Sequence, residues 1–337
     1  MTAIAIIDRG LVALAVLIAL PTVLGDLYAV LALPKGKSGS THVLARLFRF
    51  LDMQTGYRMT PASYLATDYL LVRLAWEVAS SSMPLSWRLS IVAVIAATAI
   101  VLMYPLLAIY NAVGSLLWRN PPLDLDKQRY FPGSARLEDP KVFAALRREI
   151  EVVLAQDQAG PITDVYQNLT IIEARGDAPK TSGAGAVGWR SFFLRVADRD
   201  IAANLARMPT LAAVLREMPE AYNVLLSILD PGHDIVPHRG YFKGILRYHL
   251  GVVVPSPGDA TLTCGGQRYQ WREGAGVLFD DMFVHSVENR CVEPRVVLYL
   301  DIRRRPLPLF GLVTNALFWL VTHHPYHRGV RARAAAR

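Results

Sequence analysis

From Ala221 to Ile302 the chain repeats one pattern: short runs rich in Val, Leu, Ile and Tyr, broken every few residues by Pro and Gly. The runs at 222–229, 244–254, 260–263, 267–271, 275–279, 283–287 and 295–302 are each too short for a stable helix and have strand composition. Between them stand Asp230-Pro231-Gly232, Pro255-Ser256-Pro257-Gly258, Gly265-Gly266 and Glu273-Gly274, residues that supply tight turns. No helical stretch intervenes, so the strands cannot build a parallel sheet of strand–helix–strand units. The pattern predicts an antiparallel barrel or sandwich whose closure hides its edges.

Upstream of this region the composition changes. Residues 11–33 and 89–117 are long apolar blocks, and 91–109 carries no formal charge. Each is long enough for the roughly 30 Å of a bilayer's hydrocarbon. Asp8 and Arg9 do not make the basic start of a signal peptide, so a retained membrane segment is expected. Between the blocks, 65–83 mixes Leu, Val and Trp with Asp68, Arg73 and Glu77; it reads either as a helix in the headgroup plane or as a polar crossing. Lys35, Lys37, Arg46, Arg49 and Arg58 favour a cytoplasmic loop, which points to a multi-pass protein of the inner (cytoplasmic) membrane with its catalytic domain facing the cytoplasm. The expected organisation is a membrane anchor region at 1–118, a catalytic domain at 119–305, and a short apolar anchor with a basic tail at 306–337.

Within 119–218, residues 142–154 place Val142, Leu146, Ile150 and Val153 on one helical face, 191–194 reads as an apolar strand, and 201–208 and 210–218 read as short helices. These helices could cover one face of a sheet. The formal charge of +8 suits anionic lipid better than nucleic acid, because no zinc-finger or RNA-recognition motif is present and the basic residues flank apolar segments. Two cysteines, Cys264 and Cys291, exclude a disulfide-dense scaffold and read as small buried apolar residues. The chain calls for no obligate protein partner.

Inside the barrel segment two histidines lie 47 positions apart, His238 in Pro237-His238-Arg239-Gly240 and His285 in Phe279-Asp280-Asp281-Met282-Phe283-Val284-His285. Neutral imidazole suits iron, copper and zinc, and two histidines from different strands can hold a metal in a barrel's mouth. A structural zinc would want four protein ligands, whereas octahedral Fe(II) held by two leaves room for a bidentate acid, dioxygen and water. Arg247 and His249 share one strand face and could reach a carboxylate of such an acid; Arg295 could receive another. Asp280 and Asp281 read first as turn caps, with orientation of a ligand imidazole or compensation for a missing ligand as the other role. Trp271 reads as a packing residue at the core or barrel mouth.

The motifs Ser227 through Gly232, Pro237-His238-Arg239-Gly240, Leu246-Arg247-Tyr248-His249-Leu250-Gly251, Trp271-Arg272-Glu273-Gly274, Phe279-Asp280-Asp281, His285 and Arg295 through Asp301 occur in an order that resembles the aspartyl/asparaginyl β-hydroxylase family. The resemblance covers roughly 160–305 and implies a mainly β, double-stranded β-helix (jelly-roll) domain dependent on Fe(II), 2-oxoglutarate and dioxygen. It makes His238 and His285 the metal ligands and catalytic centre. It makes Arg247 and His249 partners of the cosubstrate carboxylate near the metal, and Ser227 and Arg295 those of the distal one. Gly240 stands where many such oxygenases, including some bacterial lipid hydroxylases of this group, have an acidic third ligand; its glycine resembles the peptide-hydroxylating branch, which works with two histidines. The membrane segments resemble those of the bacterial hydroxylases of lipid A and ornithine lipids. The expected activity is therefore hydroxylation of a membrane lipid's acyl chain, with β-hydroxylation of Asp or Asn in a peptide as the alternative.

Overall fold

The computed structural model describes residues 8–19, 59–102, most of 110–162 and most of 188–336. Cα packing divides the chain into two units, residues 1–118 and residues 119–337. In the first, residues 8–19 are helical, followed by α1 (Met59–Ser80) and α2 (Leu85–Leu102). The helices break at Ser81–Pro84, where the Ser81 hydroxyl donates to the Val78 carbonyl at 2.7 Å and Pro84 cannot continue the preceding helix. Arg73 ties this unit together by ion pairs to Asp8 and Glu77, both at 2.7 Å.

No helix among the described residues is long and apolar enough to cross a membrane. The expected crossing at 11–33 lies outside the described residues beyond position 19, as does the basic loop before α1; that at 89–117 is described only in part. The segment 65–83 is helical through Ser80 and presents Val72 and Trp76 to the outside, at 70% and 66% exposure.

The second unit carries two antiparallel sheets. The strands are β1 (Gly160–Pro161), β2 (Trp189–Val196), β3 (Arg199–Asp200), β4 (Ala221–Leu229), β5 (Asp234–His238), β6 (Ile245–Val253), β7 (Ala260–Cys264), β8 (Gln267–Gln270), β9 (Gly276–Phe279), β10 (His285–Asn289) and β11 (Arg295–Arg303). One sheet runs β1-β2-β4-β11-β6-β9 with β3 on β2; the other runs β5-β10-β7-β8. From β4 onward the chain passes between the sheets, so β4-β11-β6-β9 and β5-β10-β7-β8 form the two halves of a jelly roll. The turn Cys264-Gly265-Gly266-Gln267 shows the local cause: its central residues have φ of +55° and +82°, which a two-residue hairpin of matching twist requires and glycine allows.

Three strands were not expected: the two-residue β1 and β3, and β5. β5 contains Pro237, which removes a backbone donor and masks strand character in the sequence. It is tolerated because β5 is an edge strand paired only with β10.

Alternation of side chains separates two interiors. Val224, Leu226, Ile228, Leu246, Tyr248, Leu250, Leu298 and Leu300 point from the larger sheet to a helical layer. That layer is α3 (Pro140–Ala155), which buries Leu146, Ile150 and Val153, and α4 (Pro209–Arg216), which buries Leu211, Val214 and Leu215. Asp139 caps α3 by accepting from the N–H groups of Lys141 and Val142, and Pro140 occupies the first turn. The segment 201–208 forms only one helical turn, Ala202–Leu205. On the opposite face, Trp271, Val277, Phe279, Leu262, Val287 and Val297 fill the space between the sheets.

The C-terminal apolar segment gives one face to the barrel unit. α5 (Gly311–His323) sets the Phe318 ring edge-on to Tyr222 and Phe242, with centroids 5.0 Å apart in both cases, and the Arg303 guanidinium lies 4.4 Å from its centroid. The other face exposes Leu312 and Trp319, at 86% and 61%. After it, α6 (Pro325–Ala335) buries Val330 and Ala334 and lies along β2. His327 is also buried. Phe318→Ala should lower the unfolding free energy of the full chain by about 3–5 kcal/mol, read by denaturant titration of Trp fluorescence. An unchanged midpoint would mean that α5 contributes nothing to the barrel.

Candidate functional site

The two histidines meet through strand pairing. β5 and β10 are antiparallel neighbours in which His238 and His285 are register partners, and their rings lie 4.1 Å apart between centroids. His285 is buried, and its Nδ1 lies 3.0 Å from the Phe283 carbonyl. That hydrogen bond makes Nδ1 the donor and leaves Nε2 with its lone pair. Burial, then His238 and Arg247, hold His285 well below the usual imidazole range, so it is neutral and able to coordinate a cation.

Across from this pair, the inner face of the larger sheet is polar. Positions 247 and 249 of β6, 227 of β4, and 295, 299 and 301 of β11 share that face, because Val297 pairs with Ser227, Tyr299 with His249 and Asp301 with Arg247. His249 is enclosed by Trp271, Phe279 and Tyr299, with centroids at 6.0, 5.0 and 5.1 Å. Among the described residues neither of its ring nitrogens has a hydrogen-bond partner. Burial, together with Arg295 and Arg247, keeps it neutral.

Arg295 is 1% exposed, with its guanidinium 4.7 Å over the Trp271 ring and both Nε and Nη1 lacking a hydrogen bond. Burial pulls its pKa down to about 9. A guanidinium does not readily surrender its proton, so the desolvation cost is relieved by an anion. Ser227 lies on the neighbouring strand, its hydroxyl accepting from Trp189 Nε1 at 3.0 Å. Ser191, its register partner on β2, is buried with its own hydroxyl unpartnered. Sequence reasoning missed Ser191 and Trp189; only the β2–β4 pairing places them beside Ser227.

Arg247 differs from Arg295. Its Nε donates to Asp301 Oδ1 at 3.0 Å, its Nη2 lies 3.0 Å from Asp281 Oδ2, and its charge sits 4.6 Å over the Tyr299 ring. Burial alone would weaken its hold on the proton, but Tyr299, Asp301 and Asp281 reverse the effect and raise its pKa. The chain's own carboxylates thus occupy the guanidinium that the resemblance assigns to a cosubstrate.

Asp280 and Asp281 both lie in the interior, at 0% and 1% exposure. Asp280 does cap a turn, accepting from the Met282 N–H at 3.2 Å, but it also meets Lys243 and Arg304. Asp281 is different again. Burial raises its carboxyl to about 7 against the pull of Arg247. Its backbone carbonyl accepts from the Gly240 N–H at 2.7 Å, and its carboxylate fills the space a side chain at 240 would take.

Among the described residues no group of three or more His, Cys, Asp or Glu forms a ready metal cluster. A cation bound by the His238–His285 pair would therefore take much of its shell from small ligands. The donor set fits that use: two imidazoles from paired strands, one of them a buried neutral group, opposite a buried unpaired guanidinium. Gly240→Ala should force Asp281 aside. The expected result is a thermal midpoint lowered by the equivalent of about 1–3 kcal/mol and weaker Mn(II) binding by titration calorimetry; wild-type values for both would show that residue 240 has room to spare.

Residues 142–305 match the family model for Aspartyl/Asparaginyl beta-hydroxylase. An ornithine lipid ester-linked acyl 2-hydroxylase of Rhizobium tropici is 31% identical over 173 residues, covering 51% of this chain and 57% of that one. Aspartate beta-hydroxylase domain-containing protein 2 of Xenopus tropicalis is 28% identical over 188 residues, 53% of this chain and 48% of its own. The human aspartyl/asparaginyl beta-hydroxylase is 31% identical over 113 residues, 30% of this chain and 15% of its own. The chain thus spans about half the length of the first two relatives and much less of the third. The jelly-roll order, the paired histidines and the sequence match coincide within one stretch, residues 142–305, which is similar to the aspartyl/asparaginyl β-hydroxylase family.

Proposed function

We propose that this protein is a membrane-associated, Fe(II)- and 2-oxoglutarate-dependent hydroxylase of a lipid acyl chain. The observation that carries the cosubstrate reading is Arg295, a buried cation with two unpartnered nitrogens on the same inner sheet face as His249 and Ser227. A dicarboxylate fits this chemistry. One carboxylate would be gripped by Arg295 with the Ser227 hydroxyl, and the other would lie toward His238 and His285 beside His249. Fe(II), with 2-oxoglutarate and dioxygen, supplies the oxidising power to hydroxylate an unactivated C–H bond.

The chain's own residues then have defined tasks. His238 and His285 hold the cation, and the Phe283 carbonyl fixes the His285 tautomer. Trp271, Phe279 and Tyr299 surround His249 with apolar surface and keep water from the cosubstrate site. Arg247 neutralises Asp281 and Asp301, so that neither carboxylate repels an incoming dicarboxylate.

The lipid reading draws on the R. tropici relative, which is named for acyl 2-hydroxylation of an ornithine lipid, and on apolar surface in each unit taken separately. Trp76, Trp87 and Val72 are exposed in the first unit; Leu312, Val313 and Trp319 are exposed in the second, ahead of the basic helix α6. Exposed tryptophans beside basic residues suit a headgroup interface. Gly240 and the human relative favour the second reading, hydroxylation of Asp or Asn in a peptide.

The decisive experiment compares lipids, by mass spectrometry, from cells with and without the gene. A lipid that loses one oxygen on deletion, regained with the wild-type gene but not with His238→Ala or His285→Ala, is the expected result; an unchanged lipidome under confirmed expression overturns the lipid assignment. In the purified protein, Arg295→Ala should raise the 2-oxoglutarate KM by at least about tenfold, the scale of a lost charged hydrogen bond. An unchanged cosubstrate dependence would remove Arg295 from its role.

A further inference from the structure

Behind the histidine pair, three separated stretches of chain converge on one carboxylate. Asp280 receives Arg304 Nη2 at 3.0 Å, Asn120 Nδ2 at 3.0 Å and the Lys243 ammonium. Lys243, Arg304 and Asp280 are 3%, 4% and 0% exposed. Arg304 also bonds sideways, its Nε to the Lys243 carbonyl at 3.0 Å and its Nη1 to Asn120 Oδ1 at 2.8 Å. The Asp280 backbone is held as well: its N–H donates to the Pro122 carbonyl at 3.0 Å, and its carbonyl accepts from the Phe283 N–H at 3.1 Å.

Such a cluster is a poor way to gain stability. Burying charges is costly, and apolar residues of similar volume often serve a core equally well. What it does supply is position. The turn that begins at Asp280 carries Asp281 into the space beside Gly240, supplies the Phe283 carbonyl that orients His285, and runs directly into β10. An error in the placement of Asp280 would pass to all three. The β7–β10 ladder holds His285 opposite Cys264 without a break, but on the β5 side, toward His238, the register shifts between His285 and Val287, so that side draws less support from the strands.

We infer that Asp280, with Lys243, Arg304 and Asn120, is the positioning device of the candidate metal site, fixing the turn that presents His285 and Asp281 to His238. The inference rests on the metal-site reading above. The four act through the turn, by holding the Asp280 carboxylate.

The test titrates Co(II) into the full-length protein and follows both affinity and the visible absorption of the bound ion. Lys243→Met removes one buried cation, and Asn120→Ala removes a neutral partner at the partly exposed edge, so a variant remains if the first does not fold. Folding is checked by circular dichroism and cooperative melting. Folded Lys243→Met should bind Co(II) roughly 10–100-fold more weakly, the range for groups that orient metal ligands. Asn120→Ala should weaken binding less, and both should show an altered visible spectrum. If folded variants bind with wild-type affinity and spectrum while only their melting points fall, the cluster is structural and the inference fails. If the wild-type protein does not bind Co(II) but His238→Ala melts normally, the metal-site reading fails and takes the inference with it.

Discussion

Between the two sheets, Arg247 holds two carboxylates at once, Asp281 from the turn before β10 and Asp301 from β11. Much of the site depends on this contact. An inner face that carries Arg, His and Asp where a jelly roll would ordinarily carry Val and Leu must neutralise its charges internally, because water cannot be admitted without loosening the packing. Arg247 does so from β6, the strand that runs between β11 and β9. The same side chain lies over Tyr299, a wall of the His249 pocket. Loss of the guanidinium would leave Asp281 without its cation and Asp301 with only the neutral donors Asn223 and Tyr299, so its first effect would be on the barrel and only its second on a ligand.

The contrast with Arg295 separates architecture from recognition. Both arginines lie on the same inner sheet face. One is closed by the chain's own anions; the other rests on Trp271 with two nitrogens unpartnered. A folded chain retains such an arrangement at a cost, which a bound anion would offset. The unpaired ring nitrogens of His249 and the free hydroxyl of Ser191 belong to the same half-finished polar surface.

Much of the barrel was legible in the sequence. Turn chemistry at Gly232, Gly265, Gly266 and Gly274 marks where strands end, and these glycines do adopt positive φ. The runs at 222–229, 244–254 and 295–302 match β4, β6 and β11 to within a residue or two. β5 escaped because Pro237 disguises a strand that only an edge position can hold. Asp280 and Asp281 read as turn caps because aspartates between two strand-like runs commonly cap a turn. Their burial depends on Lys243, Arg304, Asn120 and Arg247, the first three contributed from outside the motif itself and none of them adjacent in sequence.

What residue order and chemistry could establish was therefore periodic or local: strand lengths, turn positions, amphipathic helices, and a short list of metal- and anion-binding side chains. These follow from side-chain alternation and backbone preference, which act over a few residues. Which arginine is satisfied, which aspartate fills the space beside Gly240, and which serine stands next to Ser227 were decided by strand register and by contacts between stretches as far apart as 120 and 304. A charge's surroundings are set by every segment that packs against it, and no local pattern in the chain encodes that assembly.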